Sequence, residues 1–209
     1  MLRINHFEKK YGETLILSIP SLRFQHGIYW IRGENGSGKS SLFRSLAGII
    51  PCKGDVMFDD GISLHGNPVE YRLNVNFSEA EPLFPGFLSA RDIIHFVATS
   101  KKADKKQVDM LLRRFGVNAF LTRPTSTYSS GMLKRLSLCL AFIGNPRLII
   151  LDEPLITLDA EIRSVLFDHV RETLALRPVT FLISSHELFA TDELPVTATL
   201  KITQKRIVE

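Results

Sequence analysis

Apolar and polar positions along the chain keep one rhythm near the start and another in the middle. Leu2–Phe7, Thr14–Ile19 and Ile28–Ile31 alternate or carry β-branched residues and read as strands. Residues Gly33–Ser40 break the pattern as a loop. Ser41–Ala47 then reads as a short helix, with Gly48 placed to cap its end and Pro51 just beyond. Asp55–Phe58 and Leu73–Phe77 are further strand candidates, separated by the turn-rich stretch Asp59–Pro68. From about Leu88 the apolar spacing becomes helical, over Ala90–Ala98, Lys105–Arg114 and Met132–Phe142. Leu148–Leu151 is a short unbroken apolar run, the pattern of a parallel strand buried on both faces. A helix is expected over Glu161–Leu176, ending before Pro178, and another buried strand over Val179–Ser184. Thr197–Ile202 and Arg206–Val208 suggest a closing hairpin across Gln204-Lys205. Without repeats, low-complexity tracts or a flexible linker, residues 1–209 read as one mixed α/β unit. A helical insertion occupies about 85–140.

Composition narrows the setting. At 209 residues, 44% hydrophobic and 23% charged, the chain is long enough to bury a substantial core. Its strongest apolar stretches, Leu136–Ile143 and Leu148–Leu151, are too short to cross a bilayer. The start, Met1-Leu2-Arg3-Ile4-Asn5-His6, has no secretory signal pattern, so a cytosolic location is expected. Two distant cysteines, Cys52 and Cys139, make neither a disulfide framework nor a zinc site. The net charge is +4, and the basic cluster Lys101–Lys106 lacks interleaved aromatics for base stacking. It reads as a solvated surface, and nucleic acid is not an expected partner.

Gly33-Glu34-Asn35-Gly36-Ser37-Gly38-Lys39-Ser40 fits the pattern G-x-x-x-x-G-K-[ST], with an apolar strand before it and a helix after. Glycines let the backbone wrap close to phosphate oxygens, and the following helix, entered at Ser41, presents its positive end. Lys39 supplies a point charge for β- and γ-phosphates, and the Ser40 hydroxyl can ligate Mg²⁺. The segment predicts a nucleotide site. A second acidic element, Asp152-Glu153, stands at the carboxyl end of the run Leu148–Leu151, where parallel sheets bind ligands. Asp152 is expected to hold Mg²⁺ through water, and Glu153 to act as general base on the attacking water. His186, just after Phe181–Ser185, is placed to donate a hydrogen bond to a γ-phosphate.

Kinases and small GTPases carry the same phosphate loop, so the choice falls to a later segment. Tyr128-Ser129-Ser130-Gly131-Met132, followed by Lys134-Arg135 and an amphipathic helix, resembles the LSGGQ signature of ATP-binding cassette (ABC) proteins. Gly131 lies 21 residues before Asp152, as in that family. Asn145-Pro146-Arg147, Asp152-Glu153-Pro154 and Ile156-Thr157-Leu158-Asp159 match the family pattern too, the last as its D-loop. Tyr11 stands where the family stacks an aromatic on adenine. The resemblance covers essentially the whole chain. It implies the ABC ATPase fold: a phosphate-loop core with a mixed sheet, an N-terminal antiparallel β subdomain and an inserted helical subdomain.

It also implies ATP and Mg²⁺ as cofactors and a head-to-tail pair of cassettes, as homodimer or paired cassette. Each ATP then lies between one phosphate loop and the other copy's Ser129 and Gly131. The function implied is the ATP-hydrolysing subunit of an ABC transporter, on the cytoplasmic face of the membrane through a separate transmembrane permease. The alternative is a soluble ABC ATPase in assembly, repair or translation, though long coiled-coil insertions and a second cassette are missing. Three positions depart from the signature: Tyr128, Ser130 and Met132 stand where Leu, Gly and Gln are usual. Where the family has a glutamine after the strand entering the helical region, this chain has Glu79, a carboxylate that accepts Mg²⁺ but cannot donate a hydrogen bond. The chain runs only a short way past His186, and no regulatory C-terminal domain is expected.

Overall fold

The structure, a computed structural model, describes residues 1–185 and 194–208. Its first elements are β1 (Leu2–Tyr11), β2 (Thr14–Phe24), β3 (Gly27–Gly33), α1 (Lys39–Leu46), β4 (Lys53–Phe58), α2 (Pro68–Leu73) and β5 (Val75–Ser78). Three helices follow, α3 (Ala90–Ser100), α4 (Lys105–Arg114) and α5 (Ser130–Ala141), and then β6 (Leu148–Leu151) and α6 (Ala160–Leu176). The described part closes with β7 (Thr180–Ser184), β8 (Val196–Thr203) and β9 (Arg206–Val208).

These strands form two sheets. β2, β1 and β4 make an antiparallel three-stranded sheet, the N-terminal β subdomain expected from the sequence. The second sheet runs β5-β6-β7-β3-β8-β9, parallel through β8, with β9 returning antiparallel as the predicted hairpin. Strand period two divides the apolar residues of this sheet between two cores. Ile28, Trp30, Ile149, Leu151, Phe181 and Ile183 pack with the helical region and α6. Tyr29, Ile31, Leu148, Ile150 and Leu182 face α1 and the antiparallel sheet. Because β3, β5, β6 and β7 are parallel, their carboxyl ends open on one edge, and that edge carries the chemistry.

Element boundaries differ from the sequence reading where tertiary context decides. β1 continues past Phe7 to Tyr11, and β2 continues through Pro20; as an edge strand, β2 tolerates a residue with no N–H. Residues 68–73 form α2 instead of a turn running into a strand, so Leu73 ends a helix and the strand starts at Val75. Pro68 occupies the first helical turn, where its missing N–H costs nothing, and the buried Tyr71 donates to the Leu46 carbonyl at 2.8 Å. That one hydrogen bond and its ring fix a helix too short to hold by itself.

Candidate functional site

Strand β3 delivers the glycine-rich loop to the sheet edge, and α1 leaves it two residues earlier than the sequence suggested, at Lys39. Two left-handed residues shape the loop: Gly36 at φ 77° and Gly38 at φ 104°, conformations that a Cβ would strain. Gly38 is also the N-cap of α1 and offers no side chain, so the first-turn N–H groups of α1 stay available to a ligand. Lys39 is buried, its ammonium donating to the carbonyls of Gly33 at 2.7 Å and Glu34 at 3.2 Å. Asn35, Gly36, Ser37, Gly38, Lys39, Ser40 and Ser41 line a cavity of about 260 Å³ together with Ile16, Asp152 and Glu153. A rim of backbone amides, one ammonium and three serine hydroxyls facing two carboxylates suits a polyphosphate and a hard cation.

The acidic pair is held by a residue that the sequence reading did not single out. Ser184, at the end of β7, donates its hydroxyl to Asp152 Oδ1 at 2.6 Å and accepts from the Glu153 amide at 2.9 Å. One buried hydroxyl therefore orients both acidic residues. Glu153 has φ 45°, a left-handed conformation that costs a non-glycine residue on the order of 1–3 kcal/mol. Strand β6 before it and Pro154 after it leave the backbone little choice, and the carboxyl group ends against the cavity.

The signature segment stands apart from this cavity. Ser129 is the N-cap of α5, accepting from the Met132 amide at 3.3 Å, and Gly131 lies in the first turn beneath the Thr157 carbonyl. Neither lines the phosphate cavity of its own chain. The departure at Tyr128 has a use: the ring is buried, donates to the Phe120 carbonyl at 2.8 Å and accepts from the Ala90 amide at 3.2 Å. Asp159 caps α6 through the Ile162 amide and pairs with Arg135. Behind the signature, Lys134 is only 1% exposed and donates to the carbonyls of Glu79, Ala80 and Asp152. Burial pushes its pKa down to about 8, partly offset by Asp152, Glu153 and Glu81. It ties α5 to the ends of β5 and β6.

Glu79 does not line the cavity; its carboxylate is paired with Arg44 of α1 at 3.1 Å. Tyr11 stands at the end of β1, half exposed, with its hydroxyl 3.5 Å from Ser41 Oγ of α1. Ile16 reaches the cavity through a β-bulge: Lys9 pairs with Leu17 and Lys10 with Leu15, so the pairing skips Ile16. Bulges re-aim a side chain in this way. The unbroken run Leu15-Ile16-Leu17 inside an alternating strand was the sequence signal for it. His186 lies outside the described residues.

A family model described as "ABC transporter" matches residues 18–156. The lantibiotic transport ATP-binding protein SrtF of Streptococcus pyogenes is 30% identical over 200 residues, covering 93% of this chain and 83% of that protein. The spermidine/putrescine import ATP-binding protein PotA of Bacillus cereus is 27% identical over 192 residues, covering 90% of this chain and 58% of its own length. Among solved structures, an ATP-binding subunit of an ABC transporter aligns over 99% of this chain and 88% of its own, with TM-score 0.89 and 21% identity. The dimeric ATP-binding cassette MJ0796, bound to ADP and phosphate, aligns over 100% and 97%, with TM-score 0.85 and 17% identity. These two likenesses establish the cassette fold.

Proposed function

The chain belongs to the ABC transporter family of ATP-binding cassettes, and from that membership we propose that it is the subunit that binds and hydrolyses ATP to drive a separate transmembrane permease. The observation that carries this reading is convergence: the loop after β3 and the acidic pair after β6 line one cavity. The loop amides, the first turn of α1 and Lys39 take the phosphates there, while Ile16 on the cavity wall and Tyr11 outside it, next to Ser41, take the base. Glu153 orients and deprotonates the attacking water, and His186 is assigned to the γ-phosphate.

Mg²⁺ fits the donor set. Ser40 and Asp152 bring hard oxygen ligands to the same cavity, and they would hold the ion. Bound there, it neutralises phosphate charge. Among the described residues no cluster of three or more His, Cys, Asp or Glu forms an all-protein cage, and Mg²⁺ with substrate phosphates needs none.

Since Ser129 and Gly131 lie away from their own cavity, we assign them to the ATP of a second cassette in a head-to-tail pair. ATP closes that pair and hydrolysis opens it. The transport names carried by SrtF and PotA favour this reading over a non-transport role in assembly, repair or translation. Among the described residues no helix is long and apolar enough to cross a membrane. The proposed location is peripheral, on the cytoplasmic face, through the permease. Residues 1–209 would act as one cassette, with about 85–140 as its helical subdomain.

The docking face is assigned to a groove of about 490 Å³ between α3 and α4, floored by Ile94, Ala98, Val108 and Leu112. The segment leading to it exposes Leu83 (88%) and Phe87 (84%). Exposed apolar groups of this size mark contact sites. Phe87→Asp and Ala98→Glu are each expected to lower recovery of a membrane partner in pull-downs by about tenfold or more. Nucleotide affinity of the isolated chain should stay at the parental value. Parental recovery in both variants would remove the groove from this role.

Glu79 is proposed to leave Arg44 and face the Mg²⁺ region when the helical part swings inward. Glu79→Gln should then move the Mg²⁺ midpoint of ATP hydrolysis upward by roughly two- to fivefold, the scale of one partly exposed charge interaction. ADP affinity should barely change, because ADP has no γ-phosphate. Superimposable Mg²⁺ titrations for variant and parent would reduce Glu79 to a partner of Arg44 alone.

A further inference from the structure

The N-terminal sheet carries a buried cation that the phosphate chemistry does not use. Lys9 is 3% exposed, although it sits in the polar run Glu8-Lys9-Lys10. Its ammonium donates to the Pro51 carbonyl at 2.8 Å, in the segment after α1, and lies 4.4 Å from the centroid of the Tyr11 ring. That position is a cation–π contact. Tyr11 is 52% exposed, so Lys9 leaves much of the residue open to solvent. Its hydroxyl lies 3.5 Å from Ser41 Oγ of α1.

Buried ammonium groups are costly, and a lysine here spends its charge on one carbonyl and one aromatic face, with no carboxylate partner among the described contacts. An aromatic at the end of a strand, next to the turn at Gly12, would otherwise be free to change rotamer. Lys9 closes one side of that freedom, and Ser41 registers the ring against the helix that begins the phosphate site.

We propose that Lys9 is a positioning residue for nucleotide recognition: it backs the Tyr11 ring and holds the open face at a fixed angle for a purine base. The inference rests on Tyr11 stacking the base, as assigned above. Lys9 acts through Tyr11 and touches neither phosphate nor metal. Its contribution is confined to ligands that carry a base, and it consists of ordering a side chain before binding instead of during it.

Calorimetric titration with MgATP and with magnesium tripolyphosphate, which has no base, tests this. Lys9→Met should weaken MgATP by roughly three- to tenfold, the scale of one cation–π contact or one immobilised side chain. Tripolyphosphate affinity should be unchanged, and Lys9→Arg should bind MgATP like the parent. On a Tyr11→Ala background, Lys9→Met should cause no further loss. Equal weakening of both ligands, no weakening of MgATP, or a full additional loss without Tyr11 would each overturn the proposal. If Lys9→Met does not fold, Lys9→Gln gives the same comparison. Parental MgATP affinity in Tyr11→Ala alone would instead sink the stacking assignment, and it is read in a separate arm.

Discussion

Replacing Lys39 with alanine is expected to weaken MgATP binding by on the order of 100-fold or more, with the fold intact. The ammonium is buried at the start of α1 and held by the carbonyls of Gly33 and Glu34, so it is fixed inside the loop rim before any phosphate arrives. Removing one partner of a desolvated charge pair costs about 2–5 kcal/mol. The amides of α1 remain, but a helix end supplies only about half a charge. ADP, lacking the γ-phosphate, should lose less than ATP. Stability should change little, because the Glu34 carbonyl belongs to an exposed residue that water can satisfy. Calorimetry gives affinity and thermal melting gives stability. Unchanged MgATP affinity in a well-folded variant would mean that the loop has been misread.

Lys39 and its loop were legible because their chemistry is local: eight consecutive residues set the turn, the charge and the helix start. The same holds for Leu148–Leu151 with Asp152 and Glu153, where an apolar run and its polar end define strand and site together. Ser184 was not legible. Its hydroxyl matters only because β7 lies beside β6 in parallel register, with Leu151 opposite Ile183. Lys134 reads as one more cation on an amphipathic helix until the fold brings three carbonyls around it. Ile16 depends on a bulge, and Arg44 meets Glu79 across 35 positions of sequence. The short helix α2 escaped for a related reason, since its stability comes from Tyr71 burying against α1 and not from helical spacing. What the sequence hid are contacts between elements; what it displayed are the elements and motifs themselves.

Glu153→Gln is the substitution that separates binding from chemistry. The amide has the size and shape of the carboxylate, and the Glu153 backbone stays held by the Ser184 hydroxyl. The left-handed φ of 45° is as costly for glutamine as for glutamate, so native strain is unchanged. Nucleotide affinity and melting temperature should therefore match the parent. Hydrolysis should fall by about 10²–10⁴-fold, the usual worth of a general base, because an amide cannot accept the proton of the attacking water. A slowed hydrolytic step also holds ATP in place. If paired cassettes close over ATP and open after hydrolysis, this variant should elute as a dimer in size-exclusion chromatography with MgATP and as a monomer with ADP. The two readouts fail separately. A parental rate would take the base role away from Glu153. A slow variant that stays monomeric with MgATP would keep the base but deny the ATP-closed pair, and with it the assignment of Ser129 and Gly131 to a second cassette's nucleotide.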